Sequence, residues 1–199
     1  MGHFEDNHIH GLGKYIWASG DFYLGYFAQN DKDGFGIYKW ANGAQYRGYW
    51  KGNRKNGMGE YTYPDNSYYV GYYSNDKPDG IGIYVWPDGN FYQGEWKCGV
   101  RSGQGYFKWS KNNAYYIGNF KDNFLEGKGA FHYEDGSYYK GEFRRNKREG
   151  FGKSYWSDDG AVYVGYWASR EKNAIGMIRT GKGETIEGIW KNGKRVVYS

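Results

Sequence analysis

The chain has 199 residues, a net charge of +5 and an uncommon composition: 24 Tyr, 9 Trp, 11 Phe and 34 Gly against 3 Pro. Glycine and aromatic residues favour strands and turns, and strong helix formers are sparse, which argues against a helical fold. No stretch approaches the roughly 20 apolar residues of a membrane-spanning helix, no signal peptide opens the sequence, and one cysteine, Cys98, rules out an internal disulfide framework. The expectation is a soluble all-β protein of a reducing, cytoplasmic compartment.

Taken in chain order, the predicted elements repeat. Tyr-x-Gly begins at Tyr23, Tyr46, Tyr69, Tyr92, Tyr116, Tyr139 and Tyr163, with a degenerate copy at Ile186, at steps of 23 or 24 residues. Gly-x-Gly keeps pace from Gly11, Gly34, Gly57, Gly80, Gly103, Gly127 and Gly150, and Ala174–Gly176 is its worn eighth copy. A fixed period of this size means stacked units, none of which buries its own apolar face. The whole chain, 1–199, reads as one array. Residues 2–22 form a partial unit without its opening tyrosine, and a chain that starts inside a repeat resembles a piece of a longer array. Full units span 23–45, 46–68, 69–91, 92–115, 116–138, 139–162 and 163–185, and 186–199 is a truncated last one.

One unit reads as a β-hairpin. "YRGYW" (Tyr46–Trp50) and "GMGEYTY" (Gly57–Tyr63) alternate aromatics and glycines at the strand period. Between them "KGNRKN" is a polar loop, and "PDNS" is the turn that links one unit to the next. The extra residue in "SKNN" and "SDDG" falls in that turn, where it disturbs no strand. The expected register sets Trp50 opposite Gly57, Gly48 opposite Gly59 and Tyr46 opposite Tyr61. Across the next turn it sets Tyr61 opposite Gly71 and Gly59 opposite Tyr73. Glycine then leaves room for a neighbouring ring to lie on backbone. A phosphate loop is a poor alternative: the third glycine of G-x-G-x-x-G is missing, no helix follows, and "GFGKS" at Gly150 has Lys147 where a P-loop needs glycine.

Tyr-x-Gly-x-Trp/Phe, a polar loop, Gly-x-Gly and a PDG-like turn at 23-residue spacing resemble MORN repeats (membrane occupation and recognition nexus) over essentially the whole chain. The resemblance implies an elongated, single-layer, twisted antiparallel sheet of tandem hairpins forming a groove. Two strands per unit at about 4.8 Å each predict a rod of roughly 70–80 Å. It also implies a scaffold without catalysis that organises cytoskeletal or membrane-associated proteins in its groove. The Asn-, Lys- and Tyr-heavy usage is similar to that of apicomplexan cytoskeletal MORN proteins, which tend to dimerise through C-terminal repeats.

What varies between units points to surfaces. The face opposite the repeated stripe is apolar in the early units and polar in the middle, at Gln93, Glu95, Gln104, Lys128 and Lys140. It turns aliphatic again near the C-terminus. An apolar end with an open strand edge invites association. The expected homodimer interface is Ile175, Met177, Ile178, Ile186, Ile189, Trp190, Val196 and Val197, against the alternative that these residues cover the array's own end. The basic loop Arg144, Arg145, Lys147 and Arg148 is a candidate for anionic phospholipids such as phosphoinositides, since each cation near such a surface contributes about 1 kcal/mol. A solvated loop is the alternative. His8, His10 and Cys98 are metal candidates only if an interfacial zinc borrows ligands from a second chain, because a tetrahedral site needs about four. No other cofactor is expected. Nucleic acid is not an expected partner, because the rings are committed to packing, and no spacing supports a catalytic pair.

Overall fold

The computed structural model describes residues 2–5 and 8–196. The chain divides into two units, Met1–Val100 and Arg101–Ser199, and each is built the same way. The first holds β1 (Gly2–Glu5), β2 (His8–Ile16), β3 (Phe22–Ala28), β4 (Asp31–Lys39), β5 (Gln45–Lys51), β6 (Arg54–Thr62), β7 (Tyr68–Ser74), β8 (Lys77–Val85) and β9 (Phe91–Lys97). The second holds β10 (Val100–Lys108), β11 (Tyr115–Lys121), β12 (Phe124–His132), β13 (Tyr138–Arg144), β14 (Lys147–Tyr155), β15 (Val162–Ala168), β16 (Glu171–Arg179), β17 (Thr185–Lys191) and β18 (Lys194–Val196). Within each unit every strand pairs antiparallel with its sequence neighbour, in one open layer. The described residues contain no helix.

The hairpins are tighter than the polar loops suggest. In place of a loop through "KGNRKN", β5 and β6 are joined by Gly52 and Asn53 alone, both at positive φ (+53° and +66°). Two successive positive-φ residues are the primed turn whose twist matches that of the flanking strands. Asn75–Asp76, Cys98–Gly99 and Arg145–Asn146 repeat the geometry. His8 and His10 therefore lie in a strand, and Arg144, Lys147 and Arg148 lie at strand ends on either side of a turn. The 24-residue units behave as expected. Trp109 N bonds Ala114 O where Trp40 N bonds Ala44 O, so the added residue is absorbed in the linking turn.

The register is a partial correction. Tyr46 faces Tyr61 and Gly48 faces Gly59, as expected, but Trp50 faces Lys55 rather than Gly57. Across the linking turn Tyr61 faces Tyr69, Gly59 faces Gly71 and Gly57 faces Tyr73, a shift of two residues from the expected pairing. A β-bulge accounts for the first difference: between the two pairs, Tyr49 alone stands opposite Asn56, Gly57 and Met58. Gly57 sits in that bulge at φ +88°, so its reason is backbone conformation. Gly59 has the other reason, since a Cβ there would lie 2.3 Å from Tyr46 Oη. The paired glycines form a row, Gly25–Gly36–Gly48–Gly59–Gly71–Gly82, on which the tyrosine rings lie.

Those rings are the core. Tyr23, Tyr46, Tyr69, Tyr92, Tyr116, Tyr139 and Tyr163 are all fully buried. Each donates its hydroxyl to the carbonyl three residues on, the residue opposite the bulge, as Tyr46 does to Tyr49 O at 3.0 Å. Tyr23, Tyr46, Tyr69, Tyr116, Tyr139 and Tyr163 each also meet two rings edge-on. Tyr46 is 5.0 Å from Trp50 of its own strand and 5.3 Å from Tyr73 of the next hairpin; Tyr139 is 5.1 Å from Phe143 and 5.3 Å from Trp167. At about 0.5–1.5 kcal/mol for each such pair beyond area burial, this chain of contacts couples neighbouring hairpins within each unit. The indole N–H of Trp50 and of Trp190 donates to a glycine carbonyl, Gly36 O and Gly176 O, so the buried donors are satisfied.

Candidate protein-binding face

The face that carries the buried tyrosines also carries a second row of rings, most of them half open to solvent and two of them, Tyr38 and Phe107, buried. In the first unit Trp17, Tyr38, Trp40, Tyr61, Tyr63, Tyr84 and Trp86 follow one another at centroid separations of 4.4–5.7 Å. In the second, Phe107, Trp109, Phe131 and Tyr133 continue the pattern at 4.5–5.1 Å. Alternation along each second strand puts these rings on the core face, and the linking turn adds one more per hairpin. Their hydroxyls are held from below: Tyr38 donates to Asp21 Oδ2 at 3.2 Å and Tyr84 to Ser67 Oγ at 3.1 Å.

Cations are interleaved with the rings. Lys32 Nζ lies 5.0 Å from the Trp50 ring and 5.1 Å from Tyr38, and Lys55 Nζ lies 4.6 Å from Tyr61. In the second unit Arg101 lies 5.2 Å from Phe107, Arg148 4.3 Å from Trp167, and Lys172 4.6 Å from Trp190. Burial pushes the Lys32, Lys55 and Lys172 ammonium groups below the usual lysine value. Contact with ring faces compensates part of that desolvation. These cations had a signal in the sequence. Lys32, Lys55, Arg101 and Arg148 each stand two residues before the first glycine of Gly-x-Gly, as in Lys32-Asp33-Gly34, and Lys172 stands two before Ala174 of the worn copy. The charge recurs at this position in five units, with Pro78 and Leu125 in two others, and because it stands singly at that spacing it does not show as a charge run.

The expected dimer residues divide between two faces. Ile175, Met177 and Ile189 are exposed together on the outer face, around a hollow of about 480 Å³ that Val164 and Tyr166 also line. Val196 pairs with Ile189. Ile178 and Ile186 pair with each other on the ring face, and Trp190 is buried there against Tyr163. Val197 lies outside the described residues. Of the four basic candidates, Arg144, Arg145 and Lys147 are exposed at the tip between β13 and β14. Arg148 instead lies over Trp167 and donates Nη2 to Arg170 O at 2.6 Å. His8 and His10 are exposed in β2, and Cys98 is exposed in the turn after β9, with seven strands between them. No three His, Cys, Asp or Glu side chains gather among the described residues. The motif residues Tyr46, Gly48, Trp50 and Gly59 form the core, Gly57 forms the bulge, and Tyr61 belongs to the half-open ring row.

Tandem hairpins with a tyrosine-on-glycine core and a ring-and-cation face define a β-hairpin repeat array. The chain belongs to the MORN repeat family, whose model matches residues 1–22, 23–45, 46–68, 69–91, 92–114, 116–138, 139–161 and 187–198. The unmatched hairpin β15–β16 keeps Tyr163, Gly165 and Trp167 but carries Ala174 where other units have glycine. No curated protein matches the chain in sequence. Among solved structures it is similar to the TCP10 domain of Danio rerio CPAP in complex with a peptide of STIL, at 16% identity over 89% of this chain and 73% of that one, TM-score 0.40. The TCP10c domain of Drosophila melanogaster Sas-4 is similar at 11% identity over 90% and 99%, TM-score 0.45. The Drosophila SAS-4 TCP domain with a proline-rich motif of Ana2 is similar at 14% identity over 90% of each chain, TM-score 0.38.

Proposed function

We propose that the protein is a non-enzymatic scaffold that holds partner polypeptides, of the cytoskeleton or of membrane-associated structures, along its ring face. The observation that carries this reading is the half-open row from Trp17 to Trp86 with Lys32 and Lys55 among its rings. Large rigid rings bury area at little entropic cost, and aromatic and cationic side chains are the residue types that dominate binding energy at interfaces. Proximity labelling in cells, comparing the native chain with Trp40→Ala plus Tyr63→Ala, tests it. Partners should be lost from the variant while its strand content is kept. An unchanged partner set would refute a role for this face.

The scaffold is a homodimer in this reading, joined through the outer-face cluster of Ile175, Met177 and Ile189. Ile175 is 71% exposed, a poor state for a branched aliphatic side chain flanked by others. Light scattering at tens of micromolar should give twice the chain mass for the native protein and the chain mass for Ile175→Asp plus Ile189→Asp. A native monomer would exclude the dimer. Any interfacial zinc would have to join His8 and His10 of one chain to ligands of another, and metal analysis of dialysed dimer decides that.

Binding of anionic phospholipid is a second reading, supported by Arg144, Arg145 and Lys147 exposed at one hairpin tip. Co-sedimentation with phosphoinositide vesicles, before and after reversing those three charges, separates it from the scaffold reading. Binding that survives the reversal would remove this tip from the account.

A further inference from the structure

The half-open ring row has a gap. The position filled by Tyr38, Tyr61, Tyr84, Phe107 and Phe131 in successive units is filled by Ser154 in the unit that follows. Tyr84 shows what the missing side chain would touch: the rings of Tyr63 (5.7 Å), Trp86 (4.6 Å) and Trp96 (6.3 Å), and Ser67 Oγ at 3.1 Å. Around Ser154 the matching residues are Tyr133, Trp156, Trp167 and Ser137. Three of them, Tyr133, Trp156 and Ser137, line a cavity of about 260 Å³ whose walls also include Ser154 and Arg148. The cavity thus has the outline of an absent tyrosine side chain. Its size is ample, since an apolar cavity of roughly 150 Å³ takes up benzene.

Two polar features mark the cavity as more than a packing defect. Ser154 is 2% exposed and its Oγ has no hydrogen-bond partner, an unfavourable state for a buried hydroxyl. Ser137 is 5% exposed and already engaged: its Oγ donates to Asp135 Oδ2 at 3.0 Å, accepts Ser157 N at 3.0 Å and lies 3.2 Å from Ser157 Oγ, which leaves Ser154 as the buried hydroxyl open to a guest. Arg148 closes one side, its guanidinium 4.3 Å from the Trp167 ring, so a ring entering the cavity would meet a cation as well as Tyr133 and Trp156.

We propose that this cavity is a specificity pocket for a phenolic side chain, a tyrosine that the bound polypeptide inserts where the array lacks its own ring. The assignment rests on the ring face being the docking surface. The entering hydroxyl pairs with Ser154 Oγ, which has no partner of its own, and the ring packs between Tyr133 and Trp156.

The probe is p-cresol, the isolated tyrosine side chain, with toluene as the analogue lacking the hydroxyl, titrated into the full chain by calorimetry and by chemical-shift perturbation. Saturable binding of p-cresol is expected, with shifts at the Trp156 indole and weaker uptake of toluene. Ser154→Tyr fills the cavity with the chain's own ring; it should raise the melting temperature and weaken p-cresol at least about tenfold. Ser154→Ala should abolish the preference for p-cresol over toluene, which keeps the test informative if Ser154→Tyr folds poorly. Equal binding to native protein and Ser154→Tyr, or no saturable binding to the native chain, overturns the pocket. Such a failure leaves the scaffold reading intact, whereas bound p-cresol with an unchanged partner set in the ring-face variant would refute the scaffold reading and keep the pocket.

Discussion

Asn53, at the tip of one hairpin, is locked onto Lys32 at the start of the preceding hairpin's second strand by a reciprocal pair of hydrogen bonds. Its backbone N–H donates to Lys32 O at 3.0 Å, and its side-chain Oδ1 accepts from Lys32 N at 2.9 Å. Asp76 makes the same pair with Lys55, and Asn146 makes it with Leu125. Each tip thus satisfies backbone groups of the hairpin before it, which ties neighbours together along the edge opposite the linking turns.

Asn53→Ala removes the Oδ1 acceptor and places an alanine at φ +66°. The loss should be about 2 kcal/mol, from an unpaired N–H and an unfavourable left-handed backbone. Asn53→Gly removes only the first term and should lose about 1 kcal/mol. Urea unfolding of the three proteins measures the difference; equal losses would mean that conformation contributes nothing.

The two glycines of one Gly-x-Gly should respond differently to alanine. At Gly59 a Cβ meets Tyr46 Oη at 2.3 Å and Cζ at 2.5 Å, and the buried ring, hydrogen-bonded to Tyr49 O, has nowhere to move. Gly59→Ala should lose about 3 kcal/mol or more, at the upper end of overpacking effects. At Gly57 the nearest atom is Tyr49 Cβ at 3.3 Å, and the main penalty is φ +88°, so Gly57→Ala should lose about 1–2 kcal/mol. Chemical denaturation gives the order, and the reverse order would contradict the division of roles.

Ala174 holds the bulge position of β16 at φ +54°, where other units have glycine. Ala174→Gly should stabilise the chain by about 1 kcal/mol, because relief of the left-handed alanine outweighs the freedom glycine adds to the unfolded chain. A raised melting temperature is the readout, and a lowered one would place the strain elsewhere.

Alkaline pH should unfold the array. Burial holds the phenols of Tyr46, Tyr69, Tyr116 and Tyr139 protonated well above the usual tyrosine value, and lifts Tyr63 to about 12. Above a pKa of about 10 the unfolded chain loses protons that the folded chain keeps, so stability falls as pH rises. Below that value these groups contribute their full stabilisation. Tyrosinate absorbance should rise cooperatively above pH 10, together with loss of strand signal. Ionisation of every tyrosine at its ordinary value without unfolding would be the contrary result.

Much of this protein is legible in its sequence because the period is strict. The spacing of Tyr-x-Gly and Gly-x-Gly determines the hairpins, their antiparallel order, the Tyr46–Tyr61 and Gly48–Gly59 pairs, and the linking turns that absorb an extra residue. Strand alternation also separates an inner from an outer face, which is why the exposure of Ile175, Met177 and Ile189 was readable. The spacing by itself did not reveal the bulge, because a residue standing opposite three others looks in sequence like any loop. It took the paired backbones to show Trp50 against Lys55, and hence two different reasons for two glycines one residue apart. The contacts of the cations and the vacancy at Ser154 were also decided in three dimensions. Arg148 reads as one charge in a basic run until Trp167 is found beneath it. Likewise, Ser154 reads as an ordinary strand serine until the rings of neighbouring strands outline the side chain it lacks. Local periodicity dictates which way a residue points, whereas the contacts it makes depend on neighbouring strands, whose register is set by bulges and turns.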